Sequence, residues 1–323
     1  MLGEVLTVIA EALSEINPLI AYYHVVSNEK LPHIRHLYSY KNVSQFLNDI
    51  DYLGRKFNPI DLSDLLDFAK KGKKLKKRSV FITFDDGYSE CGSVVAPILY
   101  KKGIPAAFFV CPDFIDNNSM YFKNKGSLIV ENIFQKDEKD LNMSPLFKNR
   151  SLSECATMVL NVGYKDRRVL DRIANDVGID FSYYLKTKKP YLTSQQINEM
   201  IRMGFNFGAH SLDHANFDEL SLEEQIYQAK TSIDFIKKVF NIDYSIFAFP
   251  FSDENIPLEF FIRMQEYVGI SFGTRGTQID KIKWNLERIN FERSMNPASK
   301  IYLRKLLKRK TNLIQGKGTI ERS

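Results

Sequence analysis

Short runs of six to eight residues with strand character recur along this chain, and most are followed by a segment with helical periodicity. The runs are LIAYYHVV (19–26), SVFITF (79–84), IPAAFFV (104–110), FNFGAH (205–210), IFAFPF (246–251), GISFGT (269–274) and LERINFE (286–292). Several are apolar on successive residues, as strands buried on both faces of a parallel sheet must be. Between them, helices are expected from Ser44 through Phe46, Leu47, Ile50 and Leu53, after Ser63 with Leu65, Leu66 and Ala69 inward, and over Glu90–Lys102, closed by Gly103. Thr193 with Gln196 and Ser221 with Glu224 fit capping boxes. The second opens a long helix through Phe240 with the stripe Ile226, Ala229, Ile233, Ile236 and Val239, and another helix is expected at 258–267. Strands and helices in this alternation form right-handed crossovers, so the expected fold is a mostly parallel (β/α) barrel with its chemistry at the C-terminal strand ends. Residues 113–190 break the rhythm. They read as an insertion over one end of the domain, with helices around 151–160 and 166–175.

Length and charge narrow the function classes. The chain has 323 residues, 44% of them hydrophobic, enough for one large core or two ordinary ones. A net charge of +6 is concentrated in two places: Lys70–Arg78, where seven of nine residues are basic, and Lys300–Lys310, where six are. The first reads as a solvated loop. The second, KIYLRKLLKRK, sets Ile301, Leu303, Leu306 and Leu307 among its cations as an amphipathic helix, suited either to solvent or to peripheral contact with an anionic membrane. No nucleic-acid recognition motif accompanies the charge, so nucleic acid is not an expected partner. Three cysteines without metal-type spacing exclude a disulfide framework. Glu4, Glu11 and Glu15 interrupt the N-terminal stretch, which lacks the basic start and apolar core of a secretion signal, and a cytoplasmic address is expected.

The chemistry sits at the ends of strand runs. SVFITF stops in Asp85 and Asp86, which point to opposite sides of an extended chain, so one carboxylate can bind a metal while the other handles a proton. His210 and His214 follow FNFGA, and His24 lies near the end of the first run. Two histidines and one carboxylate make the donor set of a catalytic zinc-type site. A metal there lowers the pKa of bound water and polarises a carbonyl. The second carboxylate then suits a general base, and a histidine suits the acid that protonates a leaving nitrogen.

Three motifs carry a resemblance: TFDDGY (83–88), GAHSLDH (208–214) and FAFPF (247–251), in that order. They resemble the first three signature motifs of the polysaccharide deacetylase, or NodB-homology, family of carbohydrate esterases. With YHVV (23–26) and APILYKKGIPAAFFV (96–110) flanking them, the similarity covers most of the chain outside the insertion and the basic tail. The resemblance implies a distorted (β/α) barrel of the NodB type. It implies Asp85 as general base; Asp86, His210 and His214 as ligands of a divalent metal, zinc before cobalt or nickel; and the backbone N–H of Phe251 as oxyanion donor. Two departures stand out. The third motif carries Ala248 where many members have an arginine that pairs with the base, and Arg288 in the last strand run is the candidate substitute. The family's late Leu-x-His motif is missing, because no histidine follows His214. In members resembling extracellular-matrix glucosamine deacetylases the acid comes from an early Tyr-His strand, which points to His24.

The resulting expectation is a catalytic domain over 1–295 with its insertion at 113–190, and a basic C-terminal tail over 296–323. Its reaction is metal-dependent hydrolysis of the N-acetyl amide of an N-acetylated carbohydrate: a polysaccharide, an oligosaccharide or a lipid-linked precursor. Two other readings stay open, a hydrolase of cyclic amides and a sugar-binding relic without catalysis.

Overall fold

The computed structural model of the protein describes residues 16–136, 146–292 and 295–323, so the N-terminal stretch read for targeting lies outside the described residues. The strands are β1 (Leu19–Tyr23), β2 (Asn58–Pro59), β3 (Ser79–Phe84), β4 (Ala106–Val110), β5 (Asn206–Ala209), β6 (Ile246–Ala248), β7 (Ile270–Gly273), β8 (Ile279–Asp280), β9 (Asn285–Glu287), β10 (Ile289–Asn290) and β11 (Thr319–Ile320). The main sheet runs β10-β1-β3-β4-β5-β6-β7-β9 with every pairing parallel, and β2 adds to β3. The sheet curls into a nearly closed barrel. β9 and β10 are one stretch of chain that pairs first with β7 and then, past Arg288, with β1, so the two ends of the sheet meet at that residue.

Opposite faces of the strands carry different aromatic sets. Phe84, Phe108 and Phe207 are register partners on β3, β4 and β5, with ring centroids 5.1 and 5.5 Å apart, and Phe46 of α1 (Val43–Lys56) packs edge-on against Phe84. On the other face Phe109 and Phe81 pack against Phe272. Gly208 lies opposite Phe109, and a Cβ there would fall 2.7 Å from that ring and 2.6 Å from Ile246. Glycine is the residue that lets β4, β5 and β6 close at this level.

Around the barrel run α2 (Leu62–Lys71), α3 (Ala96–Lys102), α8 (Ser194–Arg202), α9 (Leu222–Phe240), α10 (Leu258–Met264) and α11 (Ala298–Ile314). The insertion holds α4 (Phe122–Ile133), α5 (Leu152–Leu160), α6 (Val169–Val177) and α7 (Phe181–Lys188), which build a second hydrophobic cluster with Val25, Ile34 and Tyr88. Both capping boxes read from the sequence are present, at Thr193 and Ser221. The first helix is capped two residues earlier than Ser44: Asn42 and Gln45 exchange side-chain and backbone hydrogen bonds. On α9 the stripe continues by four residues from Ile236 to buried Phe240, leaving Val239 half exposed. The first run leaves the sheet at Tyr23, three residues short of Val26, because the Val25 N–H turns to a side chain, Glu292, at 2.8 Å. On α11, Ile301 and Leu306 pack inward while Leu303 and Leu307 face solvent. Beyond α11, β11 pairs with β8, and Arg322 reaches Asp253 and Asp280.

Candidate active site

At the end of β3 the Asp85 N–H still donates to the Tyr23 carbonyl at 3.0 Å. The chain then turns through Asp86 and Gly87, both at a φ of 69°. Left-handed backbone at a non-glycine residue costs about 1–3 kcal/mol and persists only where its surroundings hold it. Here it sends the two carboxylates to different partners. Asp85 accepts a two-pronged contact from Arg288, at 2.6 and 2.8 Å. Asp86 Oδ1 lies 3.1 Å from His214 Nε2 and 3.5 Å from His210 Nε2.

Arg288, at the point where the closing strand changes partners, is fully buried. Its Nε donates to the Gly273 carbonyl and one terminal nitrogen to Thr83 Oγ1, while the guanidinium lies against the rings of Tyr22, Phe109 and Phe272. A buried cation is tolerated when its donors are met in this way. Burial pushes the Asp85 pKa up, but Arg288 and His210 outweigh it and hold the carboxyl below its usual range. Ala248, at the motif position where an arginine was missed, leaves its carbonyl to accept from His210 Nδ1 at 2.8 Å.

That bond places a proton on His210 Nδ1 and turns Nε2 toward Asp86 and His214. Donor atoms of Asp86, His210 and His214 all lie within 4.8 Å of one another, each residue buried. Asp86 Oδ1 is buried without a hydrogen-bond donor, a costly state for a carboxylate unless a cation sits beside it. Burial opposes its ionisation, yet His214 and His210 hold the Asp86 pKa well below normal; burial lowers the His214 pKa against the pull of Asp86. Three inward-facing donors of this chemistry fit a divalent cation.

Across the cavity stands His24, just past β1. Its Nδ1 is 2.5 Å from Glu292 Oε2, and Glu292 Oε1 accepts the N–H groups of His24 and Val25. Burial lowers the His24 pKa, but Glu292 more than reverses this and raises it to about 9. Sequence reasoning missed Glu292. Its one signal was its place at the end of the last strand run, the position that had drawn attention to Asp85.

Phe251, after Pro250, has a φ of 56°, and among the described residues nothing accepts its N–H. The residue is 42% exposed, and its ring packs on His214, 4.8 Å between centroids. His24, Asp85, Asp86, His210, His214 and Phe251 open into one cavity of about 270 Å³ whose walls also include Tyr38 and, from the insertion, Tyr121, Lys123 and Leu160. The structure thus brings together every residue singled out from the sequence: His24, Asp85, Asp86, His210, His214, Phe251 and, through Asp85, Arg288.

A parallel barrel with paired acids and two histidines at its C-terminal rim defines a hydrolase with a cation-type donor set. The chain belongs to the polysaccharide deacetylase family, whose model matches residues 72–260, and is accordingly a hydrolase of non-peptide carbon–nitrogen bonds. No protein of curated function matches it. Among solved structures it is similar to the Streptococcus pyogenes deacetylase PplD in complex with acetate, with a TM-score of 0.57 at 15% identity over 91% of this chain and 99% of that one. IcaB from Ammonifex degensii gives 0.56 at 14% identity over 91% and 97%. A de-N-acetylase from Aggregatibacter actinomycetemcomitans gives 0.51 at 15% over 88% and 98%. At these identities the likeness is one of fold. Among the described residues no helix is long and apolar enough to cross a membrane.

Proposed function

We propose that the protein removes the acetyl group from an N-acetylated sugar, with Asp85 as general base and His24 as general acid. The observation that supports this best is the divergence of two adjacent carboxylates, Asp85 onto Arg288 and Asp86 onto the histidine pair, opposite a histidine held protonated. A divalent cation held by Asp86, His210 and His214 would polarise the amide carbonyl; two imidazoles and a carboxylate suit zinc, with cobalt or nickel as substitutes. Asp85, kept ionised by Arg288, takes the proton of the attacking water. The Phe251 N–H donates to the oxyanion, a charge that develops only as the carbonyl carbon becomes tetrahedral. His24 gives its proton to the leaving nitrogen, and the Glu292 carboxylate steadies the imidazole that remains. Acetate and a free amine result.

Asp85→Asn tests this reading. It keeps the shape and the hydrogen-bonding reach but removes the base, so acetate release falls by about 10²–10⁴-fold while bound metal stays at the wild-type level. Turnover retained in that variant refutes the base assignment. Peripheral contact with an anionic membrane stays part of the reading; it rests on the exposed Leu303, Leu307 and Ile314 beside the cations of α11, and failure to sediment with anionic liposomes removes it.

A further inference from the structure

A second cleft opens beside the catalytic cavity. Its volume is about 420 Å³, and it shares two walls with the first, Tyr22 and Thr274. Arg288 forms part of its lining, with its charge already matched by Asp85, and Ile301, Arg304 and Lys305 of α11 form another wall. Among the described residues no carboxylate lines the cleft. Among the described residues neither Arg304 nor Lys305 has an ion pair, and Glu254, in the loop after β6, is paired with Arg275. Lys305 is half-buried, and burial with Lys308 close by lowers its pKa, the mark of an ammonium without a counterion. A cleft with two uncompensated cations and no acid among the described residues, adjoining the proposed amide site, is a place for the anionic part of the same molecule.

We infer that the cleft between Tyr22, Thr274 and α11 is an anion subsite, in which Arg304 and Lys305 bind a phosphate or diphosphate carried by the acetylated sugar. This rests on the deacetylase reading above and specifies its substrate class: a sugar phosphate, or a sugar linked through diphosphate to a nucleoside or a lipid, in preference to a neutral glycan. The acetamido group enters the catalytic cavity while the phosphate stays across the Tyr22–Thr274 divide. Lys305 carries the more buried charge and Arg304, exposed on the rim, supplies the planar fork that suits phosphate oxygens.

The test compares acetate release from N-acetylglucosamine 1-phosphate and from the neutral methyl glycoside of N-acetylglucosamine, on the metal-loaded full chain and on its Arg304→Ala/Lys305→Ala variant. The measured quantity is the ratio of kcat/KM for the two sugars on one protein, so a loss of folded material cancels. The wild type favours the phosphorylated sugar by about tenfold, the worth of one charge-assisted hydrogen bond, through KM, and the preference weakens with salt and vanishes in the variant. Arg304→Glu inverts it. No preference in the wild type, or a preference the variant keeps, overturns the subsite. If neither sugar loses acetate, the deacetylase reading fails, and calorimetry decides the subsite separately. Tighter binding of the sugar phosphate to the wild type than to the double variant upholds the cleft, and equal binding overturns it. A nucleoside diphosphate sugar and a short prenyl diphosphate sugar, run as further arms, show which source of phosphate the cleft accepts.

Discussion

Asp85 and His24 are two titrating groups driven apart by their neighbours, the pattern that lets one site hold a base and an acid at the same pH. Asp85 faces a buried guanidinium and stays ionised; His24 faces a buried carboxylate and stays protonated. For His24 the folded pKa of about 9 lies above the ordinary 6.5. The dyad's contribution to stability is therefore fully present below the ordinary value and is lost as pH rises through the folded one. If His24 is the acid, kcat falls along the same limb; a cation at Asp86 opposes the imidazolium charge, so the limb lies at or below 9. Glu292→Gln removes the charge that raises the pKa and leaves the burial that lowers it. The alkaline limb of the pH–rate profile then moves down by one or more units, with kcat at pH 8 reduced about tenfold. An unmoved limb would show that another group titrates there. The sequence placed His24 near a strand end, and only the resemblance pointed to it as the acid. Its partner lies 268 residues away, and no local pattern encodes a contact across that separation.

At the scale of elements, the helices most legible in the sequence were those whose caps are local, such as Ser221 with Glu224, because the whole device fits within four residues. Helix α4 carried no such cap: Tyr121 makes no side-chain capping bond, and its sides are buried by other parts of the insertion. The loop after β6 shows the opposite dependence. Asp253 follows Phe251 closely, accepts from the Thr274 N–H and from Asn285, and is gripped by Arg322 near the C-terminus, which also donates to the Asp253 and Ile256 carbonyls and to Asp280. Burial pushes the Asp253 pKa up, but the Thr274 N–H and Arg322 bring it below normal; Glu287 beside it is pushed well above normal by burial and by Asp253. The clamp thus holds two carboxylates, Asp253 and Asp280, with one guanidinium. Arg322→Ala leaves buried Asp253 and Asp280 without their cation, at a cost of about 3 kcal/mol read as a lower Tm, and loosens the loop that carries Phe251, so kcat falls with it. A variant as stable and active as the wild type would show that this segment merely rests on the barrel.

The proposed cation ties the whole molecule together, since Asp86 follows β3 and the two histidines follow β5, with β4 between them. A ligand that binds only the folded state stabilises it by mass action, about 2.7 kcal/mol at a hundredfold excess over Kd. Zinc accordingly raises Tm in the wild type by several degrees and leaves Asp86→Ala unmoved; an equal shift in both would place the metal elsewhere. What the sequence by itself determined were features whose physics is local or periodic: buried runs that must pair in parallel, capping boxes, and acids and histidines stationed at strand ends. The barrel then follows, because such strands have only each other and the helices between them to pack against. What only the tertiary structure decided were pairings across the closure of the sheet. Arg288 reaches Asp85 and Glu292 reaches His24 because β9 and β10 return the chain to β1, over a separation of 203 residues in the first case. Insertion residues wall the cavity and α11 flanks the second cleft for the same reason: spatial neighbours set by barrel closure are not neighbours in the chain.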